Sequence, residues 1–289
     1  MSFAGAHTAL VTPFRNGSFD RAGFEELIEA QIAGGITGIV PVGTTGESPT
    51  LDYDEHHAVI ESAVKTAAGR CLVIAGTGSN STREAISLTK EAEALGADAA
   101  LLVAPYYNKP SQEGLFRHYV AIAESVKIPL ILYSIPGRCG IEIGVDTVVR
   151  LAKSCPNITA IKEAGGSVER VNQLRAALPA DFEILSGDDS LTLPFLSAGA
   201  VGVISVASNL YPAEVTKLVR LWLAGDPKGA LAIHERFYPL FKDLFIEPNP
   251  VPVKYALSLR SGLSPEVRLP LCEMTDANAL RIRNILATL

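Results

Sequence analysis

Short apolar, β-branched runs alternate with longer stretches of helical spacing from the N-terminus to about residue 224. The runs occupy residues 8–11, 38–42, 72–75, 99–103, 130–133, 158–162, 183–185 and 201–205, which makes eight strand candidates. Most are continuously apolar rather than alternating, the pattern of strands covered on both faces in a parallel sheet. Between them, sets such as Phe24, Leu27, Ile28, Gln31 and Ile32 recur at helical spacing, as do Ile86, Leu88, Thr89, Ala92 and Leu95. Gly96 ends the latter set, as glycine often ends a helix. Eight such units predict an α/β fold, a (β/α)8 TIM barrel over residues 1–224. An open doubly wound sheet is the alternative that strand count leaves standing. Segments 227–245, 252–261 and 276–289 read as helices, so residues 225–289 are expected to form a C-terminal all-helical appendage.

With 289 residues, 48% hydrophobic and 19% charged, the chain has enough apolar surface for one large core. Its net charge of −6 and the lack of any basic run argue against nucleic acid or an anionic membrane as partner. Cys71, Cys139, Cys155 and Cys272 lie far apart, without metal-knuckle spacing. The N-terminus has no cationic stretch, and no apolar run approaches the ~20 residues of a membrane span. A cytoplasmic protein in a reducing compartment is expected.

Chemically capable residues gather just after the strands, the end at which barrel enzymes keep their active sites. Gly43-Thr44-Thr45-Gly46-Glu47 follows strand two, Pro105-Tyr106-Tyr107 strand four and Gly187-Asp188-Asp189 strand seven, while Tyr133 ends strand five and Lys162 strand six. A lysine closing an apolar strand either snorkels to water or sits buried, where its ammonium form is disfavoured and a nucleophilic amine results. The Gly43–Glu47 loop has the make-up to seat a small anion, or simply to cap the next helix through Thr or Glu. Tyr133 has a phenol for proton transfer, and Arg138 a planar fork for a carboxylate, although a surface ion pair would also occupy Arg138. Asp188 and Asp189 read as helix caps. His56 and His57 point about 100° apart on a helix and do not form a ligand pair, so no metal is expected.

These residues together resemble the dihydrodipicolinate synthase family of pyruvate-dependent class I aldolases, over essentially the whole chain. The resemblance rests on Gly43 to Glu47, Pro105-Tyr106-Tyr107-Asn108-Lys109-Pro110, Tyr133 to Gly140, Ile161-Lys162-Glu163-Ala164, Ser186 to Asp189 and Glu247-Pro248-Asn249-Pro250-Val251-Pro252-Val253-Lys254. It implies a lyase that needs no cofactor: Lys162 forms an imine with pyruvate, whose carboxylate rests on Thr44 and Thr45. Tyr133 relays protons through Thr44 and a Tyr107 contributed by a neighbouring subunit, and the backbone at Gly187 and Ile204 lines the pocket. Arg138 receives the carboxylate of the second substrate, L-aspartate 4-semialdehyde, on the diaminopimelate route to lysine. The resemblance also implies a homotetramer, and feedback by L-lysine at a cleft holding Ser48, His56, Asn80, Glu84 and Tyr106. Ser81-Thr82-Arg83-Glu84 reads equally well as a capping box, with Asn80 a turn residue. Ser134, Cys139, Gly165 and Pro49 depart from the family's usual residues. A sugar-acid lyase of the same superfamily and a silent acid-binding barrel are the rival functions. Arg138 speaks against the first, and the joint presence of Lys162, Tyr133, Thr44 and Tyr107 against the second.

Overall fold

The computed structural model describes residues 1–289. Eight parallel strands close into a barrel: β1 (Gly5–Ala9), β2 (Gly38–Val40), β3 (Leu72–Gly76), β4 (Ala99–Val103), β5 (Leu130–Ser134), β6 (Ile158–Glu163), β7 (Glu183–Ser186) and β8 (Gly202–Ser205). Each pairs with its sequence neighbour, and β1 pairs with both β2 and β8, which excludes the open sheet. All eight expected strands form. The first lies earlier than the apolar run suggests, because Gly5 and Ala6 are in register with Gly202 and Val203 of β8 and close the barrel there. A two-stranded hairpin, Phe14–Arg15 with Ser18–Phe19, is an addition that two-residue strands are too short to announce.

Side chains alternate across each strand, and the inward set packs into one core. Phe3, Ala9, Val40, Ile74, Ala99, Leu101, Ile131, Tyr133, Ala160, Leu185 and Ile204 form it. The outward set meets the helices in two larger clusters. One of these joins Leu10, Phe24 and Ile39 to Phe237, Leu240, Val253 and Leu257, so the C-terminal helices share a hydrophobic core with the barrel. Those helices run Pro227–Asp243, Val251–Ser261 and Asp276–Leu286. No helix is long and apolar enough to cross a membrane.

Local signals set the helix starts. Asp52 accepts the Glu55 N–H while the Glu55 carboxylate accepts the Asp52 N–H, a complete capping box for helix Tyr53–Ala67. The four residues from Ser81 form only half of one. Ser81 accepts from the Glu84 N–H, but the Glu84 carboxylate turns away to Tyr53 and Ser79, and Ser79 takes the Ser81 N–H instead. The structure also divides the aspartate pair. Asp188 caps the short turn that follows, accepting from Ser190. Asp189 is 2% exposed and accepts the N–H groups of Val206 and Ala207 at 2.9 and 3.0 Å, tying the end of β8 to the β7 loop.

Candidate active site at the C-terminal end of the barrel

Tyr133 of β5 and Lys162 of β6 are register partners, so both point into the barrel from adjacent strands. The Lys162 Nζ lies 4.2 Å from the centre of the Tyr133 ring. Glu163, one residue on, therefore points outward, where Arg170 donates to it at 2.7 Å and the Gly165 N–H at 2.6 Å. A Cβ at Gly165 would lie 2.6 Å from the Glu163 carboxylate, so a larger residue there would require that side chain to shift. Gly187 has a comparable role above the lysine: a Cβ there would be 3.0 Å from Lys162 Cε and 2.7 Å from the Ala164 Cβ.

Lys162 is 6% exposed. Burial pulls its pKa from 10.5 to about 7; the Asp189 carboxylate opposes the shift and the Arg138 charge adds to it. Free amine is thus available at neutral pH, and the snorkelling reading does not hold. Burial pushes the Tyr133 phenol up to about 12, with Arg138 and the Thr44 hydroxyl restraining the rise. The phenol is therefore protonated at neutral pH.

A cleft of about 680 Å³ opens above these two residues. Thr44, Thr45, Arg138, Gly187, Val206, Phe245 and Asn249 line it, together with Tyr133 and Lys162. The β2 loop reaches it through residues held in the left-handed region, Val42 at φ 50° and Glu47 at φ 54°. A β-branched residue rarely tolerates that conformation. Gly76 is the complement, because a Cβ on it would lie 2.5 Å from the Val42 carbonyl oxygen. Arg138 sits on a short helix, Pro136–Cys139, and takes part in none of the ion pairs, which leaves its guanidinium free at the cleft. Cys139 turns inward and donates to the Ala104 carbonyl, and the Ser134 hydroxyl accepts the Ile143 N–H, so both departures sit on the side away from the cleft.

Not every expected residue converges. Ile204, expected to line the pocket through its backbone, has its side chain in the barrel core and is not among the cleft-lining residues, whereas Val206, just past the end of β8, is. Tyr107 is 89% exposed, at φ 71°, and does not line its own chain's cleft. Glu47 caps no helix; its carboxylate receives Lys254 and the Arg268 N–H. Phe245 is not among the residues the sequence singles out, and Asn249 is there only as part of the Glu247–Lys254 motif, with no role assigned at the cleft wall it forms.

A second cleft of about 860 Å³ adjoins the first, and Ser48, Gly76 and Gly78 line both. Ser48, Pro49, Tyr53, His56, Glu84 and Tyr106 are on its wall. Asn80 is not on it, and donates instead to the Tyr106 carbonyl at 3.1 Å. Tyr53 donates to Glu84 at 2.7 Å; with the Ser79 hydroxyl this holds the Glu84 carboxyl below its usual pKa. Burial lowers the His56 pKa, and its ring bonds the Gly76 carbonyl, leaving Nδ1 buried without a partner.

A depressed lysine and a protonated tyrosine on neighbouring barrel strands, under a loop of small hydroxyl residues, define an imine-forming aldolase barrel. Residues 2–289 match the model of the dihydrodipicolinate synthetase family, and the chain belongs to that family. The 4-hydroxy-tetrahydrodipicolinate synthase of Hydrogenobaculum sp. is 52% identical over 282 residues, covering 98% of this chain and 97% of that one. The structure of the same enzyme from Methylacidiphilum fumariolicum SolV superposes with a TM-score of 0.98 at 57% identity, covering 99% of this chain and 96% of that one. The Acinetobacter baumannii dihydrodipicolinate synthase, complexed with pyruvate, superposes at 0.97 with 45% identity and 99% coverage of each chain. The activity is that of a 4-hydroxy-tetrahydrodipicolinate synthase, a lyase working through a class I Schiff base without an external cofactor.

Proposed function

We propose that Lys162 is the imine-forming residue and that the cleft above it condenses pyruvate with L-aspartate 4-semialdehyde. The observation that carries this reading is a buried lysine, depressed to about 7, in register with a protonated tyrosine at the cleft floor. The neutral amine adds to the pyruvate ketone, and loss of water gives the imine, with Tyr133 supplying the proton that the departing hydroxyl needs. Thr44 and Thr45 seat the pyruvate carboxylate. Deprotonation of the methyl group yields an enamine that attacks the semialdehyde aldehyde. The amine of that substrate then displaces Lys162 as the ring closes, so the lysine is returned free and one water is lost in all. Arg138, without an ion-pair partner of its own, receives the semialdehyde carboxylate.

Tyr107 completes the proton relay in the cleft of an adjoining protomer. Its exposure and its absence from the wall of its own cleft support that role, and with it a homotetramer. A structural neighbour at 38% identity is described as a monomeric variant, so the assembly is a property of each member. The second cleft takes L-lysine, with Glu84 facing the effector's ammonium and Tyr106 linking the site to Tyr107; the Cyanidioschyzon merolae neighbour, 42% identical, has lysine bound. Residues 225–289 serve as a wall of the barrel's site, and the enzyme works in the cytoplasm.

Borohydride reduction in the presence of pyruvate, followed by peptide mass analysis, tests the central assignment. A reduced pyruvate adduct on Lys162 is expected, with Lys162→Ala folded and inactive. An adduct on any other lysine refutes it.

A further inference from the structure

The loop that faces the cleft with Thr44 and Thr45 is tied from below to the C-terminal helices by a buried ion pair that the reaction scheme does not use. Glu47 is 3% exposed and Lys254 1%. The Lys254 Nζ donates to Glu47 Oε1 at 2.5 Å and to the Glu266 carbonyl at 2.7 Å. The other Glu47 oxygen accepts the Arg268 N–H at 3.0 Å. Phe14 lies under both cations, its ring centre 4.1 Å from the Lys254 Nζ and 4.2 Å from the Arg268 guanidinium. Two further bonds fix the same loop: the Thr12 hydroxyl donates to the Gly46 carbonyl at 2.7 Å, and Asn249 Nδ2 donates to the Thr45 hydroxyl oxygen at 2.9 Å. Thr45 accepts there, which leaves its proton for a ligand in the cleft.

A buried ion pair is weak as a source of stability, because desolvation of two charges offsets most of their attraction. What it does supply is a fixed geometry, and the backbone it fixes is one that the chain resists, with Glu47 in the left-handed region. We infer that Glu47 and Lys254 are positioning residues for pyruvate, holding the loop in the shape that presents the Thr44 and Thr45 donors to the carboxylate. The pair lies beneath the loop and does not line the cleft, so its effect passes through Thr45. This rests on the reading above that the loop seats the pyruvate carboxylate.

The test uses the full-length enzyme carrying Lys254→Met, Glu47→Gln, or Glu47→Gln with Lys254→Met. Lys254→Met leaves a buried carboxylate unpaired and is expected to lower the melting temperature, whereas the double variant removes both charges and regains it. Pyruvate KM is expected to rise about tenfold in the folded double variant, the loss of roughly one hydrogen bond's worth of ground-state binding, with kcat and semialdehyde KM within about threefold. Glu47→Gln has one amide oxygen for two donors, the Lys254 ammonium and the Arg268 N–H, and leaves the buried ammonium without a counter-charge, so a lowered melting temperature and a raised pyruvate KM are expected. Should the double variant not fold, Lys254→Arg keeps the charge but moves the loop, and the same rise in pyruvate KM is expected. A wild-type pyruvate KM in the folded variant, or a loss confined to kcat or to the semialdehyde, overturns the inference. Borohydride trapping on the wild type runs in parallel. Failure to label Lys162 there refutes the reading of the site and the inference with it, whereas labelling combined with an unchanged variant KM overturns the inference alone.

Discussion

Replacing Lys162 with methionine should stabilise the fold, by an amount that depends on pH in a defined way. The side chain keeps its length and apolar character while the amine is removed. Between 10.5 in the unfolded chain and about 7 in the fold, the burial of this amine weighs about 5 kcal/mol against folding at its maximum. Below pH 7 both states hold the proton and the full penalty acts. From pH 7 to 10.5 the unfolded chain holds a proton that the fold has released, so stability rises with pH across this window. Above 10.5 neither state is charged and the penalty is gone. The wild type is therefore handicapped by about 5 kcal/mol at pH 6.5, about 3 at pH 8 and about 1 at pH 9.5. Loss of the contact between Nζ and the Tyr133 ring, worth about 1 kcal/mol when the amine is charged, trims the first figure to about 4. Reversible urea unfolding of both proteins at those three pH values and equal protomer concentration measures the difference. A methionine variant no more stable than wild type at pH 6.5, or one whose advantage is the same at all three pH values, would refute the assignment of a strongly desolvated amine.

Other expectations concern both clefts. Tyr133→Phe retains the ring and removes the hydroxyl, and should lower kcat by about 10²–10⁴, the usual range for general acid-base groups; initial rates at saturating substrates measure it, and unchanged turnover rules the role out. Arg138→Ala should raise the KM for aspartate semialdehyde at least tenfold, on the order of one charge-assisted hydrogen bond, while borohydride trapping of pyruvate proceeds at nearly the wild-type rate. Millimolar L-lysine should depress initial rates at saturating pyruvate, and Glu84→Thr should abolish that response; wild-type rates that do not fall leave Glu84 as a structural partner of Tyr53 and Ser79.

The arrangement of the barrel was legible in the linear order of residues. Each strand buried on both faces reads as a continuous apolar run, and Lys162 interrupts such a run at the end where barrel loops gather. The β2 loop, Tyr133 and Arg138 could be found for the same reason, since residues after successive strands share one end of a barrel whatever their separation in sequence. What sequence cannot supply is direction and distance. Whether Lys162 snorkels or stays buried depends on Gly187, whose missing Cβ leaves room for its side chain, and on Asp189, which the order of residues places beside Asp188 but the fold sends inward. Glu47 looked like a cap because its neighbours in sequence are a turn and a helix; its partner Lys254 lies 207 residues away and arrives only when the C-terminal helices pack on the barrel. The same docking brings Phe245 and Asn249 to the cleft wall. Periodicity reports which face of an element is buried, a local property of the chain; which charges meet inside depends on long-range packing that no local pattern encodes.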